Sequence, residues 1–261
     1  MTSRILFAAA GATFIAALAA SNLMTAGSAT AAPPADREEI ETIVREYLLE
    51  HPEVIFEAVE RYSARESERA RAIAEGEIRN TLPTLLSGDT GHVMGADVAD
   101  TEVLVVEFYD YHCSFCRNAV DMVMDLSEQK GVRVVLQELP VITQRSQEVA
   151  IASLSVTDPA AFKKFHRALF DISGPITDQA LASAARKAGL KPADLQNTMT
   201  DKALRQPLEQ KLNLSFDMAA SFGIDGTPAF IIASPDGKFV RLISGMDEYA
   251  IKQAVDDAKR S

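Results

Sequence analysis

The sequence feature that most constrains the fold is the junction that holds both cysteines, in the segment VLVVEFYDYHCSFC of residues 103–116. Residues 103–109 form a short apolar run rich in β-branched side chains, which is typical of a buried strand. Residues 116–130 carry apolar side chains at helical spacing, and residues 132–136 indicate a second strand. The order strand, helix, strand predicts a βαβ unit with the cysteine pair at the start of its helix.

Cys113 and Cys116 are the only cysteines of the chain. A chain of 261 residues buries a large core, so one short-range disulfide would add little to its stability. With four histidines and no second cysteine pair, the spacing does not favour structural zinc. The unpaired amides and the dipole of a helix N-terminus, in contrast, stabilise a thiolate. We therefore predict Cys113 as a nucleophile and Cys116 as the thiol that resolves its mixed disulfide. Two inert core cysteines are the alternative.

The first residues of the chain predict export. Arg4 precedes an apolar run at residues 5–20, which is shorter than the roughly 20 residues of a membrane-spanning helix, and Ala29-Thr30-Ala31 offers a cleavage site. We predict a secretory signal peptide at residues 1–31 and a periplasmic mature protein with no membrane anchor after cleavage. An uncleaved anchor is the alternative. In an oxidising compartment outside the cytoplasm, a cysteine pair can persist as a disulfide.

The chain is acidic, with a formal net charge of −11 that becomes −12 when Arg4 is removed with the signal peptide. Negative charge of this size argues against nucleic acid and anionic membranes as partners. Beyond that exclusion, the charge indicates only a soluble mature chain.

Residues 36–80 have an almost entirely helical pattern, and we predict residues 32–81 as an N-terminal helical segment and linker. An interruption at Glu50-His51-Pro52 separates two apolar stripes of helical spacing. The stripes consist of Ile40, Ile43, Val44, Tyr47 and Leu48 before the interruption, and of Val54, Ile55, Ala58, Val59 and Tyr62 after it. Residues 63–80 are charged nearly all round, as in a solvated helix, and Leu82-Pro83 is expected to end this helix.

These stripes have two explanations. They either pack back on the main domain as an additional layer or mediate self-association. We favour a homo-oligomer through residues 36–80, because a polar helix separates the stripes from the rest of the chain.

Residues 82–261 are predicted as one domain with a helical insertion at about residues 141–224. Asp158-Pro159 and Thr177 indicate helix starts within the insertion, and Pro207 should kink or split its last helix. Two strand candidates at residues 229–233 and 238–244 flank the turn SPDGK, and a closing helix is expected at residues 247–259. The order of elements is therefore βαβ, several helices, then ββα.

The segments VEFYDYHCSFC and GIDGTPAFII together resemble the DsbA-like thiol-disulfide oxidoreductases. The resemblance covers about residues 93–261 and implies an α/β fold, a thioredoxin fold with an inserted all-helical domain. The segment IVREYLLEHPEVIFEAVE further resembles the N-terminal helical extension of the ScsC-like branch, whose members can oligomerise through it.

The resemblance implies roles for three more residues. Pro228 would follow a cis peptide bond, and Thr227 would offer backbone hydrogen bonds to an extended substrate segment. Glu107 would be a buried acid beneath the cysteines that relays the proton of Cys116. The alternatives are an ordinary trans-proline that opens a strand and a surface glutamate on an edge strand.

The sequence departs from the strongest oxidases of this family, which usually carry Pro-His between the cysteines where this chain has Ser114-Phe115. Loss of that histidine should make the disulfide less oxidising, so the motif indicates the reaction but not its direction. His112 either stabilises the thiolate when protonated or points to solvent. His166 is expected to be a packing or surface histidine of the insertion.

The expected function is thiol-disulfide exchange on unfolded or misoxidised secreted proteins, with a membrane redox partner that resets the cysteines. We favour isomerase capability, because several active sites of one oligomer would face a shared space. A monomeric dithiol oxidase is the first alternative. A copper(I) carrier that uses the two thiolates, with His112 or Met94 as a further ligand, is the second. No cofactor and no resident metal are expected.

Overall fold

The computed structural model describes residues 36–261. The predicted signal peptide, residues 1–31, lies outside the described residues. The elements, in chain order, are α1 Arg37–Glu50, α2 Glu53–Ser87, β1 His92–Gly95, β2 Val103–Tyr109, α3 Ser114–Ser127, β3 Val132–Glu138, α4 Gln144–Leu154, α5 Pro159–Phe170, α6 Asp178–Lys187, α7 Pro192–Thr200, α8 Lys202–Ser221, β4 Ala229–Ala233, β5 Val240–Ser244 and α9 Glu248–Arg260. Among the helices of residues 36–261, none combines the length and the hydropathy needed to cross a membrane.

The five strands form one sheet in the order β1-β3-β2-β4-β5. β2 and β3 are parallel, with Val103 opposite Val132 and Tyr109 opposite Glu138, which confirms the predicted βαβ unit around α3. β1 joins β3 antiparallel at one edge, while β4 and β5 extend the sheet antiparallel at the other. β2, the strand that leads to the cysteines, is therefore the central strand, with β3 on one side and β4 on the other.

β1 is a strand that the sequence pattern did not predict. It has four residues, fewer than a periodic pattern needs to be visible, and it pairs with β3 over its whole length. Gly91 directly precedes β1, and a Cβ atom at this position would lie 2.2 Å from the carbonyl oxygen of Leu136 on β3. That close approach of two backbones is a tertiary constraint, which a local pattern does not record.

Side-chain alternation along β2 divides the interior into two layers. Val103, Val105 and Tyr109 belong to the layer that contains α3, α5 and α9, together with both cysteines. Leu104, Val106 and Phe108 face the opposite layer, which α2 and α8 cover. The side chain of Glu107 points to the same face of β2 as Val105 and Tyr109, because side chains alternate along a strand. It therefore lies in the layer that contains the cysteines.

The expected helix end at Leu82-Pro83 is wrong, because α2 continues through Pro83 to Ser87. A proline inside a helix removes one hydrogen bond and costs about 3 kcal/mol. Here Ile78, Leu82 and Leu85 are buried against the sheet, and this apolar burial offsets the cost. The last turns of the predicted linker helix are therefore part of the core of residues 59–261.

Arg133 on β3 also holds the end of α2. Its guanidinium donates to the carbonyl oxygens of Leu86 at 2.8 Å, Ser87 at 3.1 Å and Ala96 at 2.9 Å. Two of these acceptors are among the last carbonyls of the helix, which have no partner within the helix itself. A cation at a helix C-terminus also interacts favourably with the helix dipole.

Residues 36–58 form a separate compact unit. The predicted interruption is confirmed, since α1 ends at Glu50 and α2 begins at Glu53. No residue of α1 is buried, and the exposed large apolar side chains of this unit are Ile40, Ile43, Val44, Tyr47, Leu49, Ile55 and Phe56. Ile40, Val44, Leu48, Leu49 and Ile55 line an open apolar groove of about 440 Å³.

The predicted helical insertion is present as α4 to α8. Asp158 and Thr177 are N-caps, as the sequence indicated, and accept hydrogen bonds from the N–H groups of Ala161 and Ala180. α8 is not split at Pro207. That proline is the sixth residue of the helix, so the lost hydrogen bond falls near its first turn, where Asp201 caps two N–H groups.

Candidate active site

The end of β2 presents Cys113 at the N-terminus of α3. The turn is closed by a hydrogen bond from the N–H of Cys113 to the carbonyl oxygen of Asp110, at 2.9 Å. Cys113 is the N-cap residue, and its Sγ accepts the N–H of Cys116 at 3.4 Å. Both thiols are free, and Cys113 is 6% exposed whereas Cys116 is fully buried. A sulfur atom from outside therefore reaches Cys113 first.

The pKa of Cys113 is lowered to about 6. The largest cause is a hydrogen bond from the Cys116 thiol, which outweighs the opposing effect of burial, and the backbone N–H groups of Cys116 and Phe115 lower the pKa further. The Thr227 group in hydrogen-bond contact with Sγ is a carbonyl, an acceptor that favours the protonated thiol. We therefore assign the depression to Cys116 and the amides of the first helical turn.

Cys116 has the opposite environment. Burial raises its pKa far above the ordinary value, and the hydrogen bond to Cys113 and the charge of Glu107 add to this effect. At neutral pH one sulfur is thus an anion and the other a thiol that donates to it. This asymmetry suits Cys113 for attack on a disulfide, and it requires Cys116 to lose a proton before it can attack in turn.

Glu107 lies on the central strand and is 2% exposed, so the alternative of a surface glutamate on an edge strand is wrong. Burial raises its pKa well above the ordinary value, and the charges of Cys113 and Glu138 raise it further. Within residues 36–261 its carboxyl group forms no hydrogen bond, although its charge acts on Cys116. A carboxyl group with a raised pKa can exchange a proton with a neighbouring acidic group.

The loop before β4 completes the site. The peptide bond between Thr227 and Pro228 is cis, so the trans alternative is wrong. The thiol of Cys113 donates to the carbonyl oxygen of Thr227 at 3.2 Å, across 114 positions of sequence. The Thr227 hydroxyl is buried and without a partner in the part of the chain that the structure describes. The fold thus brings together the five residues that the sequence indicated, Glu107, Cys113, Cys116, Thr227 and Pro228.

The two histidines behave differently. His112 is half-buried, and its Nδ1 lies 3.0 Å from the hydroxyl of Ser146, so it does not point freely to solvent. His166 is buried in α5, with its Nδ1 2.9 Å from the Tyr111 hydroxyl, and burial lowers its pKa to about 3. It is a neutral packing histidine at physiological pH, which confirms the expectation of a packing role.

Asp110 is a residue of this site that the sequence pattern did not single out. Its side chain is fully buried. One oxygen accepts the N–H of His112 at 2.8 Å, and the other accepts the N–H of Ile142 at 2.9 Å. One carboxylate therefore joins the active-site turn to the loop after β3. The sequence signal that could have identified Asp110 is an acidic residue directly after a predicted buried strand.

A buried polar cluster lies next to this turn. The Tyr109 hydroxyl donates to Oε1 of Glu138 at 2.5 Å, and the Tyr111 hydroxyl lies 2.9 Å from that of Ser153. Burial raises the pKa of Glu138 to about 8, against the hydrogen bonds from Tyr109 and Ser153, so this carboxyl group holds a proton at neutral pH. Its other oxygen has no partner among the described residues.

Comparison with known families decides the assignment. Residues 142–254 match the model of the DSBA-like thioredoxin domain, and residues 36–69 match that of the copper resistance protein ScsC N-terminal domain. The chain belongs to the DsbA-like thioredoxin-domain family. Its N-terminal unit is of the ScsC type, and the protein is a thiol-disulfide oxidoreductase of that family.

Solved structures agree with this membership. This protein is 28% identical to a thioredoxin-like oxidoreductase from Silicibacter pomeroyi DSS-3, over 68% of this chain and 96% of that one, with a TM-score of 0.58. BcfH of Salmonella enterica Typhimurium shares the fold at 23% identity, over 85% and 95% of the two chains, with a TM-score of 0.70. Proteus mirabilis ScsC in a transitional conformation does so at 23% identity, over 85% and 96%, with a TM-score of 0.59.

One curated relative is a much longer protein. Over 170 residues, the DsbA-like chain is 27% identical to the Na(+)/H(+) antiporter NhaA 1 of Salinispora arenicola. The match covers 63% of this chain but 25% of the antiporter, so the chain spans about a quarter of that relative's length.

Proposed function

We propose that this protein exchanges disulfides with protein substrates through Cys113. The observation that carries the proposal is the pair of sulfur atoms with opposite pKa shifts, at a helix N-terminus and beside the Thr227 carbonyl. The Cys113 thiolate attacks one sulfur of a substrate disulfide, the substrate disulfide breaks, and its other sulfur leaves as a thiolate. The product is a mixed disulfide between Cys113 and the substrate.

Cys116 then resolves this intermediate. Its thiol gives a proton to the Glu107 carboxylate, and its sulfur attacks Sγ of Cys113. A disulfide forms between the two cysteines, and the substrate sulfur leaves as a thiolate that can take up the proton. The same steps in reverse oxidise a substrate dithiol. The buried, raised-pKa carboxyl of Glu107 supports this role.

Thr227 and Pro228 would seat the substrate chain. The Thr227 carbonyl accepts the thiol of Cys113 when that cysteine is protonated. In the thiolate and in the mixed disulfide Cys113 has no S–H to donate, so this carbonyl is available for an N–H of an extended substrate segment. Backbone hydrogen bonds of this kind do not depend on the substrate's sequence, which suits a protein that acts on many clients.

Export and assembly are further parts of the proposal. A related structure is described as a periplasmic thioredoxin-like protein from Salmonella enterica serovar Typhimurium, and we place this protein in the periplasm as well, after cleavage at residue 31. Its clients would be unfolded or misoxidised secreted proteins, and a membrane redox partner would reset the cysteines. The exposed apolar groove of residues 40–55 supports a homo-oligomer, and with it disulfide isomerase capability. A monomeric oxidase is the alternative.

The enzymatic proposal is tested on a protein with scrambled disulfides. We expect Cys113→Ser to abolish recovery of the native disulfides. We expect Cys116→Ser to accumulate mixed disulfides, because Cys116 can then no longer displace the substrate. These appear as covalent complexes on non-reducing gels and disappear on reducing gels. Equal exchange by the wild type and Cys113→Ser would refute the proposal.

Assembly is tested by light scattering on the full mature chain. Val44→Glu with Ile55→Glu places two charges in the apolar groove and should convert a defined oligomer to monomers. Thr42→Glu adds a charge to α1, the helix of Val44, at an exposed position outside the groove, and it should leave the mass unchanged. A monomeric wild type would favour the monomeric oxidase.

Copper(I) binding is the second candidate function. Two free thiols close together on one helical turn, and an N-terminal match to a domain named for copper resistance, favour it. Within residues 36–261 no group of three or more histidine, cysteine and acidic side chains is arranged to hold a metal, so the two sulfur atoms would be the main ligands. Competition of the reduced protein with a copper(I) chelator tests this candidate, with Cys113→Ser as the control.

A further inference from the structure

β1 forms one edge of the sheet, and within residues 36–261 its outer side has no strand partner. Just beyond the end of β1, the N–H of Ala96 donates to the carbonyl oxygen of Val132 at 2.9 Å, in step with the register of the two strands. In an antiparallel pair, residues that bond to the partner strand alternate with residues whose N–H and C=O point away from it. The backbone groups of Val93 and Gly95 therefore point away from β3.

The outward N–H and C=O groups of Val93 and Gly95 have no hydrogen-bond partner in the part of the chain that the structure describes. A row of unpaired backbone groups is a template for pairing with another polypeptide. Neither residue is a proline or carries a charge, which are common ways of blocking an edge strand. Because β1 has four residues, an added strand has two bonding positions on it.

A groove of about 520 Å³ runs along this edge. Its lining includes Met94, which belongs to the layer of α5, and Val93, which packs on the layer of α2 and α8. Residues from both faces of the sheet line one groove, so the groove follows the edge rather than one face. Pro159, Ala160 and Lys163, from the first turns of α5, complete its lining. An exposed edge with room for side chains is the arrangement by which an extended peptide adds to a sheet.

The groove also contains an available positive charge. Lys163 is half-buried, its Nζ lies 3.5 Å from the Ser127 hydroxyl, and it forms no ion pair with any residue of the described range 36–261. The other cation of the lining, Arg133, donates to three backbone carbonyl oxygens and lies in the field of Asp97. Lys163 is thus the group that can pair with a carboxylate of a bound segment.

Side-chain alternation gives the pattern of residues that fits this groove. Residues opposite each other on neighbouring strands place their side chains on the same face of the sheet. A residue of the added strand opposite Met94 therefore faces α5 and Lys163, where an acidic side chain is favoured. The two residues opposite Val93 and Gly95 face the other side, where Val93 offers an apolar contact and Gly95 leaves space.

We propose that the outer edge of β1 and the first turns of α5 bind an extended client segment by strand addition, with the residue pattern apolar, acidic, apolar. The segment pairs antiparallel with β1 and forms up to four backbone hydrogen bonds with Val93 and Gly95. This inference rests on the proposed function for the source of the segment, since unfolded secreted proteins expose extended chain. The site is separate from the active-site turn, because β1 lies two strand spacings, about 10 Å, from β2.

The test measures binding of a labelled, capped heptapeptide to the full mature chain by fluorescence anisotropy. The peptide reads serine, threonine, valine, glutamate, valine, threonine, serine, and because it has no cysteine its binding does not depend on disulfide exchange. N-methylation of the first valine removes an N–H that bonds to β1, and we expect about fivefold weaker binding, the effect of one hydrogen bond. N-methylation of the glutamate changes an N–H that points away from β1, so this matched peptide should bind as tightly as the parent. Equal effects of the two modifications would overturn the inference.

Substitutions in the protein test the same contacts from the other side. Val93→Pro removes an outward N–H without removing a hydrogen bond to β3, and it should weaken binding at least fivefold. Lys163→Glu should weaken binding about fivefold at low ionic strength and less at high ionic strength. Lys164→Glu, at the exposed neighbouring position outside the groove, is the matched control and should bind like the wild type.

All three variants should react with dithiothreitol at the wild-type rate, because none of them changes the active-site turn. Wild-type affinity for the heptapeptide in both Val93→Pro and Lys163→Glu would overturn the inference, as would a wild type that does not bind the heptapeptide. A wild type that binds the heptapeptide but exchanges no disulfides would refute the proposed function and leave the strand-addition site standing.

Discussion

The reactivity of Cys113 depends on a hydrogen bond from the thiol that later resolves it, and substitution of Cys116 measures this dependence. The pKa of Cys113 is lowered from 9.0 to about 6, and the Cys116 thiol is the largest cause. A hydrogen bond to a charged group contributes about 1.5–3 kcal/mol, and one pKa unit corresponds to about 1.4 kcal/mol. Loss of this donor should therefore raise the pKa of Cys113 by about one to two units.

Two substitutions separate the hydrogen bond from the loss of a second thiol. Cys116→Ala removes the donor and should give Cys113 a pKa of roughly 7 to 8. The remaining helix amides keep this value below that of a free thiol. Cys116→Ser keeps an O–H donor at the same position and should leave the pKa within about half a unit of that in the wild type.

The assay is the pH dependence of ultraviolet thiolate absorbance in the reduced proteins, together with the rate of alkylation. Each variant retains one cysteine, so the signal belongs to Cys113 alone. In the wild type Cys113 should be about nine-tenths thiolate at pH 7, and in Cys116→Ala at most about one half. Identical titration curves for the alanine and serine variants would refute the assignment, because the helix amides alone would then set the pKa.

Three further predictions concern buried groups. Glu107→Gln should slow resolution of the mixed disulfide about a hundredfold while Cys113 still forms it, as measured by quenching single turnovers. Glu138, with a pKa raised to about 8, is protonated in the folded chain and ionised in the unfolded chain, so stability falls as pH rises from about 4 to 8. Glu138→Gln should therefore gain about 4 kcal/mol relative to the wild type between pH 5 and pH 9 in urea unfolding, and an equal pH dependence of both proteins would contradict this. Leu82→Ala, at a position 5% exposed, should cost about 2–4 kcal/mol, whereas Ile73→Ala, at a position 57% exposed on the same helix, should cost less than about 0.5.

The sequence predicted the parts of the fold that local signals determine. The strand before the cysteines and the caps at Asp158 and Thr177 depend on side chains within a few residues of one another, and the structure confirms them. The Thr227-Pro228 step came from the resemblance to the family, and the cis bond agrees with it. Local rules and family patterns thus cover most of the site.

The predictions differ from the structure where contacts between residues far apart in the sequence determine the local conformation. Pro83 is a local signal for a helix end, but burial of Leu82 and Leu85 on the sheet extends the helix beyond it. β1 is too short to show a period and exists because β3 offers a free edge. The role of Asp110 depends on Ile142, 32 positions away, and no single-sequence pattern links the two.

The same contacts bear on the direction of the reaction. A histidine between the cysteines is absent, and the nearest one, His112, is bonded through Nδ1 to Ser146 rather than to sulfur. The thiolate is thus stabilised by one thiol and by helix amides. The buried acids Glu107 and Glu138 lie on the same face of the sheet, because Glu138 is opposite Tyr109, two residues along β2 from Glu107. A pKa of about 6 falls between the values of about 7 for thioredoxin and about 3.5 for DsbA. Because a stabler thiolate makes the disulfide more oxidising, we expect a reduction potential between those of these two proteins. At such a potential mixed disulfides both form and break readily, which is what an isomerase requires.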